Sequence, residues 1–547
     1  MAWTRRQMLE LSAKLGLLSL APTVGACPSS DDDDSAVDDG WPPFEGCDPE
    51  TVDWTYTGEP GPETLFSHGV ASGDPLADAV ILWTRVSQEG TDAVEVLWEV
   101  SETPDFAVIY ASGLASATAD RDWTVKVDAT CLRPGGTWYY RFQSMGRTSP
   151  IGRTRTAPYG PTERMRFAVC ACSSFAHGWY HGYRALAQHP GVEVVFHLGD
   201  YTYEQANGEY GDVRDLTPLN EVASLEDRRL RYAATRLDPD LQEVHRQHPF
   251  VCTWDDHEFV NNTWSGGSQD HDPATEGTWE ERLEAGARSF LEWLPVREGT
   301  EGVIYRQLIF GDLVDVCVLD TRVIGRDQQP ATTDEAYAED RQMLGVEQEQ
   351  WLFERLVGSR ARWKVLAQQV MMGQWSFSTD EQGRPRPLNQ DMWDGYQAAR
   401  RRVFDTIETE GIDGLVVLSG DVHSSWAVDL AHDFSAYDRF AHNGSVGVEA
   451  VTPGISSPGT SILEALFVPE NQYIRWSDAT SNGFIVIDVT HDRVHADWHL
   501  MPAGAVEDEA YTAPTVAASF VCNHGEPWWN EAGAALPAVA GAPPLAP

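Results

Sequence analysis

Beyond residue 160, short apolar runs alternate with helical candidates. The runs fall at 165–169, 194–198, 250–254, 313–319, 364–367 and 415–419, each continuous and largely apolar. Runs of that kind are expected of strands buried on both faces. Helices are expected between them, for example over 221–236 and 347–357. The alternation predicts a layered α/β domain spanning 161–530. Residues 52–160 follow a different rule. There apolar and polar positions alternate, as in Val94-Glu95-Val96-Leu97-Trp98-Glu99-Val100, with turn residues between segments. This predicts an all-β, immunoglobulin-like domain in which Tyr139 or Tyr140 is the candidate for a tyrosine corner. Residues 531–547 are rich in Ala and Pro and are expected to be a disordered tail.

The amino-terminal residues read as an address. Arg5-Arg6 precede a modest apolar run at 15–26, too short to span a bilayer, which ends in Val24-Gly25-Ala26-Cys27. The pattern is that of a twin-arginine export signal over 1–27 with a lipoprotein processing site at Cys27. Residues 28–51 open with Asp31-Asp32-Asp33-Asp34 in their first third and read as an acidic, solvated tether. The expectation is a cell-envelope lipoprotein or a secreted or periplasmic protein. It would be carried by the twin-arginine machinery and held to a membrane by a lipid anchor only.

Charge narrows the range of partners. The 547-residue chain has 39 Lys and Arg against 84 Asp and Glu, a net charge of −45. A general basic surface for nucleic acid is excluded. An anionic substrate would be repelled unless bound cations invert the field locally. The eight cysteines form neither a dense disulfide framework nor a paired zinc motif.

Candidate chemistry sits just after the predicted strands. Cys170-Ala171-Cys172 follows the first and Gly199-Asp200-Tyr201-Thr202-Tyr203-Glu204 the second. Asp255-Asp256-His257-Glu258, with Asn261-Asn262 behind it, follows the third; Asp320-Thr321-Arg322 and Gly420-Asp421-Val422-His423 follow two more. Ligands of open α/β sheets bind at the carboxyl ends of strands, so these clusters should converge. Asp, Asn and His are donors for hard cations, and a tyrosinate or thiolate suits a strongly Lewis-acidic metal. Such a set fits in-line displacement at phosphorus.

These residues resemble the PhoD-like alkaline phosphatases and phosphodiesterases. The resemblance runs from about residue 62 to 500. It rests on Phe66-Ser67-His68-Gly69-Val70-Ala71-Ser72-Gly73-Asp74-Pro75, on Trp254-Asp255-Asp256-His257-Glu258, on Trp393-Asp394-Gly395-Tyr396 and on Gly420-Asp421-Val422-His423. It implies a calcineurin-like metallophosphoesterase core, a two-sheet sandwich flanked by helices, behind the amino-terminal β domain. It also implies an iron(III) ion (Fe3+) held by Cys172, Asp200, Tyr203 and His423. Calcium (Ca2+) would be held by Asp421, Asn262 and one or both of Asp255 and Asp256, with Asp200 bridging. His257 is the candidate to orient phosphate or protonate the leaving group, and Arg322 the candidate phosphate clamp. One departure stands out: Cys170 replaces the family's usual small residue, and in a continuing strand it would face the same way as Cys172. It would then compete as a ligand or join its neighbour in a disulfide.

The expectation is an exported phosphatase/phosphodiesterase. It would hydrolyse small phosphate mono- and diesters by attack of metal-activated hydroxide at an iron–calcium site. The alternatives are a phospholipid-cleaving phosphodiesterase, a purple acid phosphatase-type enzyme and a non-catalytic, lipid-tethered binding protein.

Overall fold

The computed structural model describes residues 41–547 apart from 42, 89, 91, 300, 301 and 460–470. The expected export signal and most of the tether, residues 1–40, lie outside the described residues. Among the described residues no helix is long and apolar enough to cross a membrane.

All six apolar runs are strands: Arg164–Cys170, Val194–His197, Pro249–Cys252, Val314–Val318, Trp363–Ala367 and Leu415–Ser419. They divide three and three between two sheets. The first three are parallel neighbours at the centre of a ten-stranded sheet, and the second three are parallel neighbours in a seven-stranded one. Alternation of side chains explains why these strands are apolar throughout. Phe167, Val169, Phe196 and Val251 meet Val316, Val365 and Val416 between the sheets. The intervening Ala168, Val195 and Phe250 face the opposite way, onto helices Pro239–Gln247 and Trp279–Trp293. Cys317, Leu366 and Val417 likewise pack on helices Gly345–Gly358 and Gln397–Thr409. The expected helix over 221–236 begins only at Leu225, because Ser224 caps it by accepting from the Asp227 amide.

The amino-terminal region is all β and has its own core around Leu82, Val96, Trp138 and Phe142. One of its two layers, however, is part of the large sheet. Val70–Gly73 pairs in parallel with Pro249–Cys252, and Val80–Arg85 and Thr124–Ala129 extend the same sheet to its edge. A Cys47–Cys131 disulfide fastens the segment preceding this sandwich to its loops.

The carboxyl-terminal residues depart from expectation. Residues 531–547 are not loose but lie as an extended strap. Leu536 N donates to Asp497 (2.7 Å), Arg166 to the Pro537 carbonyl (3.0 Å) and Ala546 N to Gln247 (2.8 Å). Tyr139 gives its hydroxyl to the Pro544 carbonyl at 2.9 Å, so it is spent on this strap rather than on a tyrosine corner. Arg166 stands in the first half of its strand and Gln247 just before its own, whereas the polar clusters stand at the ends. The strap therefore lies away from those clusters.

Candidate metal centre

Parallel strands from both sheets release their chains at the same end, and the loops that follow meet. Three groups of potential ligands result, each with its donor atoms within 4.8 Å of one another: Cys172, Asp200 and His423; Asp200, Asp256 and His257; Asp255, Asp256 and Asp421. Asp200 and Asp256 each belong to two groups, so the three form one continuous chain of donors. Tyr203 joins the first. Its hydroxyl lies 2.9 Å from Asp200 Oδ2, 3.3 Å from His423 Nε2 and 2.7 Å from Ser457 Oγ.

The backbone is bent to achieve this. Cys172, Asp200, Asn262, Asp421 and His423 all have φ between 51° and 65°. Left-handed conformation costs a non-glycine residue roughly 1–2 kcal/mol, and such residues cluster at functional sites. Cys172, Asp200, Asp421 and His423 turn the chain just after it leaves a strand, and Asn262 bends the loop further along. Gly199 has φ 107°, and a Cβ there would lie 2.4 Å from Asp255 Cβ. Only glycine lets the Asp200 loop press against the Asp255 loop.

Electrostatics favours a cation in this cluster. Burial, then the charges of Asp200, Asp255 and Asp421, push the Cys172 thiol well above its usual pKa. Burial and Asp200 do the same to Tyr203. Burial also raises Asp255 well above the carboxylate range and Asp421 to about 7, although Arg322 opposes both shifts. Burial first, and then negative charge that Arg322 does not balance, favours the protonated forms of these groups. A bound cation reverses that preference. Asp255 Oδ2 is buried with no hydrogen-bond partner among the described residues, which fits an oxygen reserved for an ion.

Arg322 is fully buried and engages Asp255, Asp391 and Asp421, with Asp256 Oδ2 at 3.7 Å. The structure thus brings it to the centre, as expected, but its donors serve carboxylates. His257 is also there. Its Nδ1 lies 2.7 Å from Glu204 Oε2, and its ring packs 4.4 Å from that of Tyr203. Burial opposes its protonation, but Glu204, Asp256 and Asp200 outweigh burial and raise its pKa well above the usual value. Asn262 reaches the centre through its backbone: its amide donates to Asp256 (2.6 Å), while its side chain donates to Gln269 (2.7 Å).

Cys170 does not rival Cys172. The strand ends at Cys170 and the chain then turns, so the two thiols point to opposite sides. Cys170 packs with Tyr180, Tyr183 and Val195 on the helix side, whereas Cys172 lies between the sheets; both are free.

Sequence reasoning missed several residues that shape the site. Glu258 accepts from the amides of Asp200 (2.9 Å), Tyr201 (2.6 Å) and Asp255 (2.6 Å), tying two ligand loops together. Glu204 fixes His257 and also accepts from Asn261 N at 2.9 Å. Asp391 bridges Arg322 and Arg326. Glu204 and Glu258 lie inside the recognised motifs, so their positions were visible. Asp391, Ser457 and Tyr210 carry no local signal.

Comparison with known proteins identifies the family. Residues 167–498 match the family model described as PhoD-like phosphatase, and residues 54–158 match the PhoD-like phosphatase, N-terminal domain. The chain is 36% identical over 484 residues to alkaline phosphatase D of Bacillus subtilis (strain 168), covering 83% of this chain and 80% of that protein. The solved structure of PhoD superposes with a TM-score of 0.79 at 33% identity, covering 89% of this chain and 95% of that one. The chain belongs to the PhoD-like phosphatase family and is a phosphoric ester hydrolase.

Proposed function

We propose that this protein is an exported alkaline phosphatase/phosphodiesterase acting on small phosphate mono- and diesters at a multinuclear iron–calcium centre. In this reading the two packed sheets are a calcineurin-like metallophosphoesterase core and the amino-terminal sandwich is an immunoglobulin-like accessory domain. The observation that carries it is the continuous chain of donor groups through Asp200 and Asp256.

The donor set divides by chemistry. Cys172, Tyr203, Asp200 and His423 offer thiolate, phenolate, carboxylate and imidazole to one ion, a set suited to iron(III). Asp255, Asp256 and Asp421 offer carboxylate oxygens, a set that suits calcium; Asn262 would join it by turning its side chain inward from Gln269. Bound there, the ions would neutralise phosphoryl charge and make water a competent nucleophile at neutral or alkaline pH. The protein's own contribution is placement. Glu258 locks the Asp200 and Asp255 loops, Glu204 holds His257 through Nδ1 so that Nε2 is free to face a leaving-group oxygen, and Arg322 fixes the carboxylates from behind. Twin-arginine export and an anchor at Cys27 complete the proposal, which rests there on the motif at 1–27. Asp200→Ala tests the centre. It should abolish metal retention and hydrolysis together; hydrolysis that survives in this variant puts the centre elsewhere.

A further inference from the structure

Tyr210 lies in the loop between Val194–His197 and Leu225–Thr235, outside every recognised motif, yet it touches two residues of the first donor group. Its hydroxyl lies 3.2 Å from His423 Nδ1, the ring nitrogen facing away from Asp200. The Pro458 carbonyl is 3.2 Å from the same nitrogen. Both oxygens can accept from an Nδ1–H, and that tautomer leaves the Nε2 lone pair directed at Asp200 and Tyr203. The Tyr210 ring also stacks on Tyr203, with centroids 5.3 Å apart and planes at 19°.

The loop is built to hold the ring there. Val213 N donates to the Ala176 carbonyl at 2.8 Å. Gly211 has φ 94°, and a Cβ at that position would meet the Ala176 carbonyl group at 2.8 Å. Arg214 pairs with Asp238 at 2.6 Å and lies 3.7 Å above the Phe175 ring. A surface loop free to wander needs none of these ties.

We propose that Tyr210 is a positioning residue for the Cys172–Asp200–His423 group. It fixes the tautomer and rotation of His423 and backs the ring of Tyr203. The inference rests on the metal reading above. Partners of this kind are typically worth roughly 10–100-fold in metal affinity or activity.

The test compares the wild-type protein and Tyr210→Phe, both purified with iron. The readouts are the visible tyrosinate-to-iron absorption band, the rate of iron loss to a chelator, and the melting temperatures of the two metal-stripped proteins. The proposal expects equal melting temperatures after stripping, a shifted or weakened band, and iron loss about tenfold faster in the variant. Tyr210→Leu, which also removes the stack on Tyr203, should lose iron faster still. A variant with the wild-type band and the wild-type rate of iron loss overturns the proposal. So does a variant whose only change is a lower melting temperature of the stripped protein. A wild-type protein that holds no iron and shows no band overturns the metal reading itself, and this inference with it.

Discussion

Replacing Glu258 with Gln probes the join on which the centre depends. One carboxylate oxygen accepts from Asp200 N (2.9 Å) and Asp255 N (2.6 Å), the other from Tyr201 N (2.6 Å) and Thr202 N (3.3 Å). An amide nitrogen in either place confronts two backbone donors with a third. Burial pushes the pKa of Glu258 up to about 8 and the backbone donors oppose that shift, so above about pH 8 it accepts as a carboxylate. A hydrogen bond to a charged acceptor is worth about 1.5–3 kcal/mol, and a buried donor left unpaired costs about 1–3 kcal/mol. Losing two such bonds therefore costs on the order of 4 kcal/mol. The unfolding entropy of a chain this long is about 1 kcal/mol per degree, from roughly 2.1 cal/mol/K per residue, so the melting temperature should fall by about 4 °C. Metal retention should fall more sharply, because the variant frees the Asp200 loop from the Asp255 loop. Thermal unfolding and elemental analysis of the same preparation measure both effects. Unchanged melting temperature and full metal content in Glu258→Gln would show that this carboxylate does not hold the two loops together.

Two further outcomes follow from the buried charges. Arg322→Met leaves Asp255, Asp391 and Asp421 without their shared cation. Breaking a buried pair from one side costs about 3–5 kcal/mol, so the metal-free variant should melt well below metal-free wild type, and added calcium should recover part of the loss; equal melting of the metal-free proteins would contradict this. His197 is buried, with its Nε2 2.9 Å from the Tyr183 hydroxyl, and burial lowers its pKa to about 3. Below about pH 6.5 the unfolded chain takes up a proton that the folded one refuses, so stability is lost as pH falls from about 6.5 toward 3. At pH 5 the loss is about 2 kcal/mol for one such histidine. His197→Gln should therefore show a smaller drop in melting temperature between pH 7 and pH 5 than wild type, and an identical drop would count against the assignment.

The sequence spoke most clearly where a signal is local. A continuous apolar run such as 415–419 marks a doubly buried strand, and Leu415–Ser419 is one. The polar residues after five of the six runs mark strand ends, and those ends do meet, as the contacts of Arg322 with Asp255 and Asp421 show. Which sheet a strand joins is decided by distant partners, so the division into two sheets came from the resemblance rather than from periodicity. The same limit hid the continuity of Val70–Gly73 with Pro249–Cys252 across the domain boundary. The strap at 531–547 escaped because composition predicts only local periodicity. Its order comes from its backbone groups meeting Arg166, Asp497 and Gln247, which lie far back in the chain. Cys170 was misjudged by extrapolating the strand two residues too far; the turn at Cys172, with φ 56°, reverses the side on which the thiol emerges.

The chemistry of this protein depends on which ions the donor chain through Asp200 and Asp256 holds. Elemental analysis of protein purified after export, paired with hydrolysis of a chromogenic phosphodiester before and after chelation, tests that directly. Iron and calcium together, with activity lost on chelation and restored by the same two metals, is the predicted result. Full activity with zinc or manganese alone, or activity indifferent to chelation, would contradict it.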